Sequence, residues 1–312
     1  MKVLICGVAG FIGSHLAEKL ILEGNEVWGC DNLSTGDMKN LDSFIDHPNF
    51  HFEEQNICNW DGLPHAVDLV YQFASPASPP HYMSMPIDTY LVNSVGNYRM
   101  LEYAKKSSAR FVFASTSEIY GEAQVHPQPE SYYGYVNSVG KRSCYDESKR
   151  FGEGMTILYN KEFNMDTRVA RIFNVYGSRM RIDDYRVIPN FITQCIQGKP
   201  VTVYGDGKQT RSFCYIDDFI EAIVALGFSD GLDGSIINIG NPDEITVSDL
   251  MLLIKKLCNS QSTVQHCPLP SNDPIQRKPI IERAKVLLNW EPKTTLEDGL
   301  VRCINYYESF IL

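Results

Sequence analysis

Positive charge is scarce in this 312-residue chain, with 28 lysines and arginines against 38 aspartates and glutamates, a net charge of −10. Such a surface repels polyanions unless cations cluster locally, so nucleic acid is not expected as a partner. The nine cysteines never fall in C-x-x-C spacing, and their odd, scattered set suggests neither a zinc site nor a disulfide framework. No metal is expected, and a reducing compartment fits the free thiols. The seven histidines lack H-E-x-x-H spacing and no serine sits in a G-x-S-x-G elbow, which leaves zinc proteases and elbow-type serine hydrolases without support. No uninterrupted apolar stretch approaches the ~18 residues of a membrane span, and the first strand-like run begins at Val3, ahead of which a signal peptide has no room. No membrane association is expected, and the cytosol is the expected location.

What is present is an ordinary globular composition, 44% apolar and 21% charged, in a chain long enough for one large domain or two modest ones. Val3 to Cys6 is a short apolar run stopped by glycine, and Ile12, Leu16, Leu20 and Ile21 then recur at helical spacing. Strand-like runs follow at 26–31, 50–53, 68–73 and 110–114. Between the last two, Tyr90, Leu91, Val95, Tyr98, Leu101 and Ala104 trace one helical face over 89–106. Alternation of this kind predicts a parallel sheet covered on both faces. Beyond it, 167–173 and 201–204 read as strands and 188–197, 250–257 and 296–307 as helices. Pro268, Pro270, Pro274 and Pro279 mark a long connection, a surface loop or a substrate cover.

Gly7-Val8-Ala9-Gly10-Phe11-Ile12-Gly13 lies between the first strand and the first helix. In that context the glycines permit a tight turn, close backbone approach to a pyrophosphate, and close packing of helix on strand, while free helix N–H groups attract the anion. Asp31 ends the second strand 18 residues after Gly13, where a carboxylate accepts from ribose hydroxyls and repels a 2′-phosphate, so NAD is favoured over NADP. Tyr145 and Lys149 stand four residues apart, on one helix face. A unit charge ~4 Å from a phenol, at an effective dielectric of about 20, favours phenolate by roughly 4 kcal/mol, or ~3 pK units, enough for a base near neutrality.

Together, the glycine turn, Asp31 and Tyr145-x-x-x-Lys149 resemble an extended short-chain dehydrogenase/reductase acting on nucleotide sugars. The segments 73–82, 114–121, 170–174 and 203–213 are similar to UDP-glucuronate decarboxylases, also called UDP-xylose synthases. The resemblance implies a Rossmann-like doubly wound α/β fold. Residues 1–175 would form the NAD-binding domain carrying Tyr145 and Lys149. A smaller α/β region, 176–312, would bind mainly the nucleotide sugar, with some elements returning to the first domain. It implies cofactor contacts from Gly7, Gly10, Phe11, Ile12, Gly13, Asp31, Asn32, Ile57, Ala74, Tyr145 and Lys149. It implies substrate contacts from Pro76, Ser78, Tyr82, Asn174, Arg181, Tyr204, Arg211 and Arg277, and catalytic parts for Thr116, Ser117, Glu118 and Arg277. A homodimer through helices at 90–106 and 144–161 is implied as well.

The reaction so implied oxidises the sugar at C4 with NAD, loses carbon dioxide from the resulting β-keto acid, and reduces the pentose ketone again; some relatives stop at the ketone. The 4,6-dehydratases resemble the same segment with Asp-Glu where Ser117-Glu118 stands here, and the missing acid disfavours water elimination. Four positions depart from the resemblance: Ser138 and Lys141 replace prolines, Tyr185 a frequent glycine, and Asn56 a frequent aspartate. A dehydratase or 4-epimerase using the same first oxidation is the alternative enzyme, and a protein that senses NAD without chemistry is the alternative of another class.

Overall fold

Val3, Leu4, Ile5 and Cys6 are completely buried without alternation, because both faces of the sheet they enter are covered. The computed structural model describes residues 1–268 and 276–311. Its central sheet contains β1 (Lys2–Cys6), β2 (Glu26–Asp31), β3 (Phe50–Glu54), β4 (Leu69–Gln72), β5 (Arg110–Thr116) and β6 (Thr167–Ile172), with Ile236–Ile239 as a seventh strand. All pairings are parallel, in the order 236–239, β6, β5, β4, β1, β2, β3. The order reverses between β1 and β4, so the loops leaving their carboxyl ends diverge and open a crevice above the sheet.

The first helix, α1 (Phe11–Leu22), starts at Gly10 and buries Leu16, Ala17, Leu20 and Ile21 on the sheet. On the opposite side, the stretch read as one amphipathic helix over 89–106 is three pieces: Pro86–Leu91, a π-helical Val92–Gly96, and Asn97–Ser107. Its orientation also differs from the expectation. Tyr90, Leu91, Val95 and Tyr98 are exposed, whereas Thr89, Asn93 and Asn97 are completely buried. The polar side chains turn inward because they have partners there. Asn93 Nδ2 donates to Ser148 Oγ (3.1 Å), and Asn97 Nδ2 donates to Gly152 O (3.2 Å), both on the helix Ser143–Phe163.

Beyond residue 175 the chain adds small two-stranded pairings: 175–176 with 214–215, 210–212 with 244–246, and 201–204 with 264–267. The helices Val187–Ile196, Val247–Leu257 and Leu296–Ile311 surround them. The helix Ile216–Phe228, absent from the sequence reading, returns to the central sheet, where Tyr71 Oη donates to Ile223 O at 3.1 Å. Of the proline-rich connection, Pro279 bridges to Gln128, whereas Pro270 and Pro274 lie outside the described residues. Among the described residues no helix is long and apolar enough to cross a membrane.

Candidate active site

The glycine turn leaves β1 at the crevice. Gly7 has φ +83°, and a Cβ there would lie 2.8 Å from Ala74 N and Cα; a Cβ on Gly13 would lie 2.1 Å from Gly7 O. Only glycine lets α1 start this close to the strand. The first-turn N–H groups of α1 lack intrahelical acceptors and leave its positive end at the crevice. Asp31 fixes the turn from the side: its Oδ2 accepts from Ala9 N (3.0 Å) and its Oδ1 from Leu33 N (2.8 Å). Burial nevertheless raises its carboxyl above the ordinary value, against those hydrogen bonds. Asn32 closes a local turn through Ser34, and Asn40, unnoticed in the sequence, donates to Ala9 O at 2.9 Å.

A cavity of about 590 Å³ runs from this turn between the two halves of the chain. Thr116 enters it at the end of β5, and Tyr145 and Lys149 enter it from the helix Ser143–Phe163. The Tyr145 hydroxyl hydrogen-bonds Thr116, and its ring stacks on Tyr82 with centroids 4.9 Å apart and planes 8° from parallel. Lys149 Nζ donates to Ala114 O at 2.8 Å and lies 5.8 Å from the Tyr145 ring centroid. The expected depression of the phenol by this lysine is not what the arrangement produces. Burial pushes Tyr145 up to about 12 and the Lys149 ammonium down to about 7. Desolvation acts on both groups, and the lysine spends its charge on a carbonyl rather than on the phenol.

A charged cluster stands beside this pair. Glu118 N donates to Thr116 Oγ1 (3.2 Å) in the one-turn helix that follows β5. The Glu118 carboxylate accepts from Arg142 and, at 3.3 Å, from Arg277 Nη2. Arg277 is 2% exposed; its Nη1 donates to Ser117 O, its Nη2 also to Gly121 O (3.3 Å), and its Nε has no partner among the described residues. Burial opposes ionisation of Glu118, but Arg277, Arg142 and Arg211 outweigh it and hold the carboxyl below its ordinary value. Asp146 is pushed the other way, up to about 7, by burial and by the Glu118 charge.

Ser78, Tyr82, Asn174, Arg181, Tyr204 and Arg211 also line the cavity, as do Gly7, Gly10, Phe11, Ile12 and Gly13. Ser78 Oγ pairs with His81 Nδ1 (2.7 Å), Asn174 Nδ2 donates to Ser212 O (3.4 Å), and Arg181 pairs with Asp183 (2.7 Å). Pro76, Asp31, Asn32, Ile57 and Ala74 are not in its wall. Ala74 packs behind the wall residue Gly7, and Ile57 packs against Gly96, which does not line the cavity.

The profile of the NAD dependent epimerase/dehydratase family matches residues 3–240. The chain belongs to this family. It is 47% identical over 306 residues to UDP-glucuronic acid decarboxylase 1 of Danio rerio, covering 98% of this chain and 72% of that protein. UDP-glucuronic acid decarboxylase 3 of Arabidopsis thaliana is 46% identical over 301 residues, 96% of this chain and 87% of that one. Among solved structures, UDP-glucuronic acid 4-epimerase from Bacillus cereus, in complex with UDP-glucuronic acid and NAD, superimposes with a TM-score of 0.90 at 30% identity. UDP-glucose 4-epimerase from Thermotoga maritima does so with a TM-score of 0.91, also at 30%. Each of the two covers 99% of both chains.

For a member of the epimerase/dehydratase family, a charged site residue overlooked in the sequence, besides the uncharged Asn40, is Arg142. Its signal was a cation three positions ahead of Tyr145, at the start of the helix that carries it. Tyr185, where the resemblance has glycine, adopts φ +62°, a left-handed conformation that a side chain makes costly and glycine does not.

Proposed function

We propose that this protein decarboxylates UDP-glucuronate through a 4-keto intermediate to UDP-xylose or its 4-keto form, with NAD as resident cofactor. The observation that carries this reading is the Arg277–Glu118–Arg142 cluster next to Ser117, in the same cavity as Tyr145 and Thr116. Sustained similarity to UDP-glucuronic acid decarboxylases, at 43–47% identity over nearly the whole chain, supports it.

The residues present fit NAD. Glycine at 7 and 13 lets the turn pack backbone on backbone and brings the first-turn N–H donors of α1 to the crevice, where they suit a pyrophosphate. Asp31, bound to the same turn through Ala9 N, offers a carboxylate for a ribose diol that repels a 2′-phosphate. When bound, NAD supplies reversible oxidation at the sugar's C4 and transient positive charge near Tyr145. Tyr145 holds the proton of the C4 hydroxyl, oriented by Thr116, and Lys149 fixes the Ala114 carbonyl beneath them. On a C4 ketone the C6 carboxylate is β to a carbonyl. The C5–C6 bond then breaks with its electron pair moving toward the C4 oxygen, where Tyr145 and Thr116 donate hydrogen bonds, and C5 takes up a proton. Ser117 places no acid where a leaving hydroxyl would need one. Arg211 and Asn174 bind the diphosphate, Tyr204 the uracil and ribose, and Ser78, Tyr82 and Arg181 flank the sugar.

The exposed apolar side chains Tyr90, Leu91, Val95 and Tyr98 and, on the neighbouring helix, Phe151 and Leu158 support a homodimer built through these helices. Nine unpaired cysteines support a reducing compartment, the cytosol. Incubation with UDP-glucuronate tests the reaction. Release of carbon dioxide with a UDP-pentose detected by mass spectrometry is the expected result, and turnover of an uncharged UDP-hexose alone would overturn it.

A further inference from the structure

Glu118 is one carboxylate held by two arginines that come from distant parts of the chain, Arg142 at the start of the Tyr145 helix and Arg277 beyond the sheet. The two grips are unequal. The Arg142 contact is the short one, whereas Arg277 Nη2 reaches Glu118 at only 3.3 Å and divides itself with Gly121 O, also at 3.3 Å. Arg277 is anchored through Nη1 on the Ser117 carbonyl, and its Nε is buried without a partner. Nε and Nη2 form the side-on edge of a guanidinium, the edge that binds a carboxylate through two parallel hydrogen bonds. One arginine therefore has its carboxylate-binding edge half satisfied, and a second arginine already holds the carboxylate that partly occupies it.

We propose that Glu118 is an exchangeable counter-ion: the substrate's C6 carboxylate takes the Nε/Nη2 edge of Arg277, and Glu118 withdraws onto Arg142, which thereby sets specificity for a 6-carboxylate sugar. This deepens the decarboxylase reading and rests on it. Arg142 is a positioning residue, acting on the substrate through Glu118. Without the Arg142 charge, Arg277 is a hydrogen-bonded cation that Glu118 keeps among the described residues, with Arg211 adding its field. The carboxylate closes onto Arg277 because an ionised carboxylate stays in this setting only beside a cation. Glu118 then competes with the substrate's carboxylate for the same edge. A ligand without that carboxylate feels no competition. Removing the Glu118 charge as well removes the competitor.

The test measures equilibrium binding by calorimetry in a Tyr145→Phe background, with NAD bound, for UDP-glucuronate and for UDP-xylose, which lacks the carboxylate. Arg142→Gln is expected to weaken UDP-glucuronate roughly 30-fold and UDP-xylose less than about 3-fold. Adding Glu118→Gln is expected to restore UDP-glucuronate to within about 3-fold of the Tyr145→Phe parent, and Arg142→Lys, which keeps the charge, to lose less than Arg142→Gln. UDP-xylose binding reports that each variant retains a folded cavity. Equal weakening of both ligands, or no recovery in the double variant, overturns the proposal. No carbon dioxide from the unsubstituted protein overturns the functional reading and this inference with it, whereas normal conversion with unselective losses in the variants overturns the inference alone.

Discussion

Gly13→Ala is the perturbation whose effect follows most directly from coordinates. The added Cβ would sit 2.1 Å from Gly7 O and 2.9 Å from Val8 Cα, all backbone. Real Cβ contacts stay beyond 3.0 Å, and rotamer changes cannot relieve a clash with backbone. Gly7 cannot retreat: its N donates to Cys30 O at 2.8 Å, its O accepts from Gly10 N at 3.2 Å, and its other side abuts Ala74. The start of α1 must therefore move by about 1 Å, an overpacking strain of about 1–3 kcal/mol. At roughly 2–4 °C per kcal/mol for a large single chain, the melting temperature falls by about 2–12 °C. The same shift pulls the first-turn N–H groups away from a bound phosphate. Two charge-assisted hydrogen bonds at about 1.5–3 kcal/mol each correspond to a loss of roughly 10²–10⁴ in NAD affinity. NAD content of the purified protein and calorimetric titration read this out. Gly154→Ala is the control, since a Cβ there meets nothing within 4 Å. Gly13→Ala protein that binds NAD within about 3-fold of the parent would refute the placement of the dinucleotide on this turn.

Tyr145→Phe keeps the ring stacked on Tyr82 and removes only the hydroxyl; turnover is expected to fall by about 10²–10⁴ with NAD content unchanged, and unaltered steady-state rates would reject Tyr145 as the proton carrier. His15, whose Nε2 lies 3.1 Å from Ser178 O, is held down to about 4 by burial and by Arg179. Its folded value lies below the unfolded one, so its contribution is present above pH ~6.5 and is lost as pH falls toward 4. Urea unfolding is expected to show about 3 kcal/mol less stability lost over that interval in His15→Gln than in the parent, and identical pH profiles would contradict it. Leu158→Glu places a charge on a side chain that is 52% exposed in the single chain; a sedimentation mass dropping to one chain with the fold intact is expected, and an unchanged dimer would exclude that face.

The turn at Gly7 to Gly13, the carboxylate of Asp31 and the Tyr145/Lys149 spacing were legible because each is a local device whose geometry is set within a strand–turn–helix unit or one helical turn. The first six strands were legible as short apolar runs for the same reason. The helix at 216–228 was not, although Ile216, Phe219, Ile220 and Ile223 carry the spacing, because neither glycine nor proline flags its start. The 86–107 stretch misled because apolar periodicity says that a face is to be covered without saying by what. Here Thr89, Asn93 and Asn97 find partners inside and Tyr90, Leu91, Val95 and Tyr98 stay outside, while Leu101 and Ala104, one turn further on, are buried as the periodicity implies. The charge states of Tyr145 and Lys149 depend on burial, which is a tertiary quantity: a four-residue spacing brings the pair together but does not show that Lys149 points at Ala114.

The same limit bears on the charge of the protein as a whole. A net charge of −10 argues against polyanions as partners, yet the proposed substrate carries a diphosphate and a carboxylate. The cavity resolves this by composition and by protonation. Arg142, Arg211 and Arg277 converge on it, against Glu118 and Asp146. Two carboxylates so close cannot both ionise freely, and burial favours leaving one of them neutral. Glu118, gripped by two guanidiniums, keeps its charge; Asp146, with Oδ1 unpartnered among the described residues, is the one that takes up a proton, up to about pH 7. Around Glu118 the charge is then three guanidiniums against one carboxylate, and the wall adds Arg179, Arg181 and Arg186 against Asp184, a net positive pocket in an acidic protein. On the proposed reading, carboxylate recognition sits at Arg277, apart from the Tyr145 and Thr116 hydroxyls that hydrogen-bond the C4 oxygen where the electrons go. This separation matters for decarboxylation, since the carboxylate must be held firmly enough to bind but its charge must be free to leave for the C4 oxygen, and a single cation serving both ends would stabilise the starting state as much as the transition state.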